Sequence, residues 1–101
     1  MFAAGLSLCG RGVPQNPKTY FASVEKVLGE LVHLTPGKDR FIDKAKSGKV
    51  SGAAACYTEK PATCKSCLEH TKARLERCKG STSGGNFNEV CNMEFWRTGD
   101  N

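Results

Sequence analysis

With 101 residues the chain has room for one domain and not for two. A core of that size gains from covalent restraint, because small domains bury a smaller share of their surface. A net charge of +5 and a pI near 9.0 favour contact with membranes, cell-wall polyanions or acidic proteins without choosing among them, and no apolar run approaches the roughly 20 residues of a membrane-spanning helix.

Phe2 to Leu8 is apolar, but it lacks a preceding basic stretch and is too short for the apolar core of a signal peptide with its cleavage site. Leu8 stands where a lipoprotein signal would carry a small residue. The chain therefore reads as a mature form, with Met1 added for expression. Ala3 to Cys9 is predicted as an opening strand, and Gly10 to Gln15 as a loop broken by Gly12 and Pro14. Asn16-Pro17 predicts a helix start, with Asn16 capping and proline at the first helical position. Tyr20, Val24, Val27, Leu28, Leu31 and Leu34 then recur at spacings of three and four. They form one apolar face of a helix of about 17 residues, which Pro36-Gly37 ends.

Arg40 to Ala45 and Val50 to Tyr57 predict two strands joined near Ser47-Gly48-Lys49. The second has low strand propensity because of Ala53, Ala54 and Ala55. A second helix begins near Pro61 and places Cys64, Cys67, Leu68, Thr71, Leu75 and Cys78 on one face. Gly80 is placed as its C-terminal cap, with Arg74, Arg77 and Lys79 near the negative end of the helix dipole. Ser81 to Gly85 is predicted as a flexible loop. Asn88 to Arg97 reads as a last strand, with Cys91, Met93 and Phe95 on one side and Asn92, Glu94 and Trp96 on the other. Thr98 to Asn101 is expected to fray. The sequence carries no internal repeat.

Cys9, Cys56, Cys64, Cys67, Cys78 and Cys91 are an even set in a short chain, the signature of a disulfide framework made in an oxidising compartment. Two other chemistries draw on the same residues. Cys64-Lys65-Ser66-Cys67 at a helix start has the form of a redox pair, because the helix dipole lowers a thiol pKa. No thioredoxin-like βαβ pattern accompanies it. An all-cysteine zinc site would use Cys64, Cys67, Cys78 and Cys91. The second CxxC of a zinc ribbon is missing, and Cys9 and Cys56 would be left over. Three disulfides, with no metal and no cofactor, are expected, and the spacing alone leaves 15 pairings.

The spacing Cys56-x7-Cys64-x2-Cys67, an early cysteine before a long helix, Cys78 closing the second helix and Cys91 on the last strand resemble the ginkbilobin-like, or stress-antifungal, cysteine-rich domain of plants. Its usual core motif is C-x8-C-x2-C, so the spacing of seven is a departure, absorbed by one deletion in the loop before Cys64. Phe41 to Cys56 resembles the family's paired strands, and Cys64-Lys65-Ser66-Cys67-Leu68 its second-helix opening. The Cys91 segment with Phe95 resembles its final strand. The resemblance covers nearly the whole chain. It implies one domain over residues 1–101 and an α+β fold, a five-stranded antiparallel sheet carrying two α-helices. It implies the pairings Cys9–Cys78, Cys56–Cys64 and Cys67–Cys91. It also implies a secreted, apoplastic protein of plant defence or stress response, with antifungal, lectin-like carbohydrate binding as its activity.

The family's mannose pocket is attributed to an Asn directly after the first cysteine, an Arg six residues before the last, and a Glu five residues after it. Those positions hold Gly10, Gly85 and Trp96 here, so the contact set is not matched. Arg11, Glu94 and Arg97 are the nearby side chains that could compensate. Trp96, the only tryptophan, has two readings: a cover over a secondary cluster, or a stacking platform for sugar and an anchor for a protein partner. Lys38, Arg40, Lys44, Lys46 and Lys49 form the densest basic run, interrupted by Asp39 and Asp43. It reads as a solvated hairpin face or as a contact with an anionic surface. Lys65, Glu69, Lys72, Glu76 and Lys79 alternate in sign along the second helix, as ordinary ion pairing does. Zinc-finger spacing, ribonucleoprotein aromatics and a basic recognition helix are missing, which argues against nucleic acid. His33 and His70 come with no discernible nucleophile and orienting group, so a binding protein and not an enzyme is expected. Its expected partner is a carbohydrate or an extracellular protein. The alternative is a protein- or membrane-interaction module that has lost sugar binding.

Overall fold

The structure is a computed structural model that describes residues 5–38, 42–78 and 80–98. Its elements are β1 (Leu6–Cys9), α1 (Pro17–Leu34), a 3-10 turn (Thr35–Gly37), β2 (Ile42–Ser47), β3 (Val50–Cys56), α2 (Pro61–Leu75), a second 3-10 turn (Glu76–Cys78), β4 (Ser83–Phe87) and β5 (Cys91–Arg97). The five strands form one sheet in the order β1-β4-β5-β3-β2, with every neighbouring pair antiparallel. Both helices pack on the same face, α1 across β2 and β3, and α2 against β4 and β5. The other face is open.

The helix-forming stripe works as its spacing predicts: Tyr20, Val24, Val27, Leu28 and Leu31 are buried, while Leu34 is exposed at the last turn. Asn16 departs from expectation. Its side chain makes no capping hydrogen bond; its backbone carbonyl instead accepts from Tyr20 N–H at 3.0 Å. Proline at the first helical position leaves one fewer unsatisfied donor at this helix end and presets its backbone angle for the helix. In α2, Cys64, Cys67, Leu68, Thr71 and Leu75 are buried as one face. The α-helix ends at Leu75, and a 3-10 turn carries the chain on to Cys78. There Ser81 N–H donates to the Cys78 carbonyl at 3.0 Å. Lys72 reaches across to Glu25 of α1 at 2.8 Å, so this member of the alternating charges of α2 serves a contact between helices.

The alanines of β3 are overruled by their surroundings. Gly52 and Ala54 lie under α1, and a Cβ at Gly52 would come within 2.5 Å of Val27 Cγ1 and 2.9 Å of the Glu94 carbonyl oxygen. Small residues let the helix approach the sheet, and tertiary context outweighs strand propensity. The same effect corrects the reading of residues 81–85 as a loop. Ser83–Phe87 is a strand, held between β1 and β5. Gly84 is required there: an added Cβ would lie 2.8 Å from Cys78 Cβ and 2.8 Å from the Phe95 ring. The predicted first strand is observed from Leu6, and Ala3 and Ala4 lie outside the described residues, as do Arg40 and Phe41 of the predicted second strand. Of the tail expected to fray, Thr98 donates its N–H to the Lys49 carbonyl at 2.7 Å; the rest lies outside the described residues.

All six cysteines are joined, as Cys9–Cys78, Cys56–Cys64 and Cys67–Cys91. Cys64 and Cys67 bond to different partners, which removes both the redox pair and the zinc site. The Cys67–Cys91 bond is buried with Thr71, whose hydroxyl lies 3.3 Å from Cys91 Sγ. A disulfide sulfur carries no hydrogen, so the hydroxyl donates. Asn88 closes the same corner: its Oδ1 accepts from Val90 N–H at 2.8 Å and Cys91 N–H at 3.0 Å. This side-chain turn, the Asx geometry that asparagine favours, takes the chain from β4 into β5.

The disulfides and the glycine positions set three expectations. By the loop-entropy relation the closures of 69, 8 and 24 residues contribute about 4, 2.5 and 3.5 kcal/mol, an upper sum of about 10 because the loops overlap. That is comparable to the net stability of a whole domain. Reduction is expected to unfold the protein, read by circular dichroism before and after dithiothreitol, with alkylation mass spectrometry finding no free thiol beforehand. Gly84→Ala is expected to lower stability by about 1–3 kcal/mol through overpacking. Gly29→Ala in α1, where nothing lies within 4 Å of the new Cβ, should raise it by about 0.5–1 kcal/mol. Urea denaturation of the oxidised variants checks both signs.

Candidate functional site

The open face of the sheet is set by strand alternation. In β5, Cys91, Met93 and Phe95 are buried beneath the helices, so Asn92, Glu94 and Trp96 point the other way. The register brings neighbours to them. Glu94 lies between Ala53 and Gly85, Trp96 between Ser51 and Ser83, and Leu8 stands opposite Gly85 on β1. Small residues on both flanks leave a pocket of about 340 Å³, bounded by Leu8, Gly10, Gly85, Phe87, Glu94 and Trp96 among others. Trp96 is partly buried; Leu8 and Phe87 are exposed at 57% and 39%, enough to meet a partner. Beyond the pocket, Asn92 Nδ2 donates to the Tyr57 hydroxyl.

Four residues singled out in the sequence therefore meet in one place: Gly10, Gly85, Glu94 and Trp96. Arg11 and Arg97 do not join them. Arg11 is exposed in the loop after β1, and Arg97 falls on the opposite parity of β5 from Trp96. Leu8, Ser83 and Phe87 were not legible as site residues. Two belong to the strand read as a loop, and their only signal is the pairing register. The glycines are tightly enclosed. A Cβ at Gly10 would fall 2.0 Å from Ser83 Oγ, and one at Gly85 would fall 3.0 Å from the Phe87 ring. A longer side chain at either position would have to displace these neighbours. The pocket thus offers aromatic and aliphatic walls around one carboxylate.

A second concavity lies at the other end of β5. A cleft of about 430 Å³ opens between the start of α1, the Gly48-Lys49 turn and Arg97. Tyr20 forms part of its wall, and its hydroxyl donates to the Thr82 carbonyl. Burial pushes the Tyr20 phenol above its usual value, and the nearby Arg97 guanidinium offsets part of that rise. The basic run divides between surfaces. Lys44 and Lys46 are exposed on β2, opposite Ala53 and Ser51, while Lys49 lines the cleft. Lys38 is exposed, and Asp39 and Arg40 lie outside the described residues. Asp43 accepts the Lys44 N–H at 2.9 Å. His33 is exposed near the end of α1 and His70 is half-buried on α2. Among the described residues no group of three His, Cys, Asp or Glu side chains is placed to hold a metal ion, and no helix is long and apolar enough to cross a membrane.

A profile of the family described as salt stress response/antifungal matches residues 8–98. The chain belongs to that family. Solved relatives share the fold of this stress-antifungal chain. The tandem DUF26 ectodomain of the Arabidopsis thaliana cysteine-rich receptor-like protein PDLP8 superposes with a TM-score of 0.81 at 22% identity, covering 93% of this chain and 45% of the ectodomain. The corresponding ectodomain of PDLP5, from the same plant, gives 0.72 at 25% identity, with 93% and 44% covered. The stress-antifungal chain thus spans a little under half the length of each tandem ectodomain. No curated protein matches it.

The Tyr20 environment yields a pH prediction. A phenol whose folded pKa is raised above the usual 10.0 contributes stability that is full below that value and is lost as pH rises through the folded one. Stability is therefore expected to fall above pH 10.0, and less steeply in Tyr20→Phe. At neutral pH the same variant should lose about 1 kcal/mol with its hydrogen bond. Urea midpoints measured from pH 7 to 11 test both statements.

Proposed function

We propose that residues 1–101 form one extracellular domain of plant defence or stress response that acts by binding and not by catalysis, and that its ligand meets the open face at the pocket between β1, β4 and β5. The observation that carries this reading is that Gly10, Gly85 and Trp96, the positions where the family resemblance locates sugar contacts, converge in one pocket together with Glu94. Membership of the salt stress response/antifungal family supports the biological role. The description of the solved relatives as ectodomains supports the location outside the cell. The ligand is a carbohydrate held by stacking on Trp96 and Phe87, with Glu94 accepting from ring hydroxyls. Aromatic faces give large contact area at small entropic cost.

Mannose itself is a poor fit. The polar trio attributed to the family's pocket is replaced by Gly10, Gly85 and Trp96, and each lost neutral hydrogen bond costs about 0.5–1.5 kcal/mol. A glycan array followed by calorimetry on its best hit is the test. Mannose should bind weakly or not at all. Trp96→Ala should cut affinity for the hit by about 2 kcal/mol, as loss of an anchoring side chain does, and leave the thermal midpoint nearly unchanged. Early unfolding with retained affinity would make Trp96 a structural residue. Capture of an extracellular protein with no glycan hit would favour the interaction-module reading.

A further inference from the structure

The cleft beside α1 has a chemistry unlike that of the sheet-face pocket. Four uncharged hydrogen-bonding side chains line it, Gln15, Asn16, Thr19 and Ser23, together with the cations Lys49 and Arg97; among the described residues that line it none is acidic. Its volume of about 430 Å³ lies within the range of small-molecule sites. The backbone fixes the two cation-bearing residues relative to each other. Val50 stands opposite Arg97 in the β3–β5 ladder, and Thr98 N–H donates to the Lys49 carbonyl at 2.7 Å. The turn is fixed as well. Gly48 takes a φ of 56°, a conformation glycine adopts freely, and a Cβ there would lie 3.0 Å from Ser23 Oγ. The hairpin tip is thereby set close against α1.

We propose that this cleft is a second ligand site, separate from the sheet-face pocket, and that it takes an anionic sugar. The acid group would meet Arg97 and Lys49, and the ring hydroxyls would meet the amide and hydroxyl side chains along α1. A guanidinium presents paired donors to a carboxylate or phosphate, which gives direction as well as charge. A bare polyanion needs only a flat basic surface, such as the one Lys44 and Lys46 offer; convergent uncharged donors and acceptors are superfluous to it. The first turn of α1 carries no acidic side chain, so the positive end of the helix adds to the same potential.

The test is a titration of the intact oxidised chain, followed by NMR or calorimetry, with galacturonic acid, glucose 6-phosphate, their neutral parents galactose and glucose, and sodium sulfate. At least one acidic sugar is expected to bind, with its neutral parent about tenfold weaker or worse, the loss expected for a charge-assisted hydrogen bond. The pattern across the two acids distinguishes a carboxylate from a phosphate. Arg97→Gln and Lys49→Gln should each weaken binding about tenfold, while Trp96→Ala and Lys44→Gln leave it unchanged. Lys49→Gln, in an exposed turn, keeps the test decisive if Arg97→Gln proves unstable. Equal binding of neutral and acidic sugars, equal binding of sulfate, an equal loss in Lys44→Gln, or no binding at concentrations on the order of 10 mM would each overturn the assignment. Because Trp96→Ala is a control here, failure of this site and failure of the sheet-face pocket are read separately.

Discussion

The Cys9–Cys78 bond passes over the one place on β4 where a side chain cannot be accommodated. A Cβ at Gly84 would lie 2.9 Å from Cys78 Sγ and 2.8 Å from the Phe95 ring, so the bond, the ring and the strand backbone occupy the same small volume. Much else depends on that fit. β1 is only four residues long and has a single neighbour, β4. The disulfide ties it, across 69 positions, to the end of the α2 segment. β1 in turn supplies Leu8, and the residue after it, Gly10, to the sheet-face pocket. A contact on the helix side of β4 thereby fixes the wall of a site on its opposite side.

Helices and framework were readable because their signals are strong and local. The stripe from Tyr20 to Leu31 needs only a period of 3.6, and six cysteines in a short chain need only an oxidising compartment. β4 was hidden for the opposite reason. Ser83-Gly84-Gly85 has the composition of a loop, and only the proximity of Cys78, Phe95 and Phe87 explains two glycines in a strand interior. The family resemblance supplied the fifth strand that composition obscured. Alternation placed Trp96 on the side away from Cys91, but grouping it with Arg97 ignored the rule that neighbours in a strand face opposite ways. Asn16 was read as a side-chain cap from residue type alone, where the proline after it already suits the helix start.

Those two neighbours, Trp96 and Arg97, give β5 two roles. One directs an indole to a pocket with a carboxylate, the other a guanidinium to a cleft with a lysine. The sheet separates the two potentials, so a ligand suited to one side gains little from the other. The strand that carries both is flanked by β3 and β4 and anchored at its start by Cys67–Cys91, which places both proposed sites on the central strand of the sheet.

Strand order also governs when the molecule can assemble. Leu6–Cys9 is synthesised before the other four strands of the sheet, and its only neighbour there is Ser83–Phe87. It emerges with no ladder to join until more than seventy further residues have been made. Non-local pairing of this kind is slow, because loop closure is opposed by entropy before any contact rewards it. Throughout that interval Leu6 and Leu8 have no strand beside them, and for all but its end Cys9 lacks Cys78. The sheet is therefore completed only after residues 83–87 have been made, with Cys9–Cys78 among the last long-range links to form.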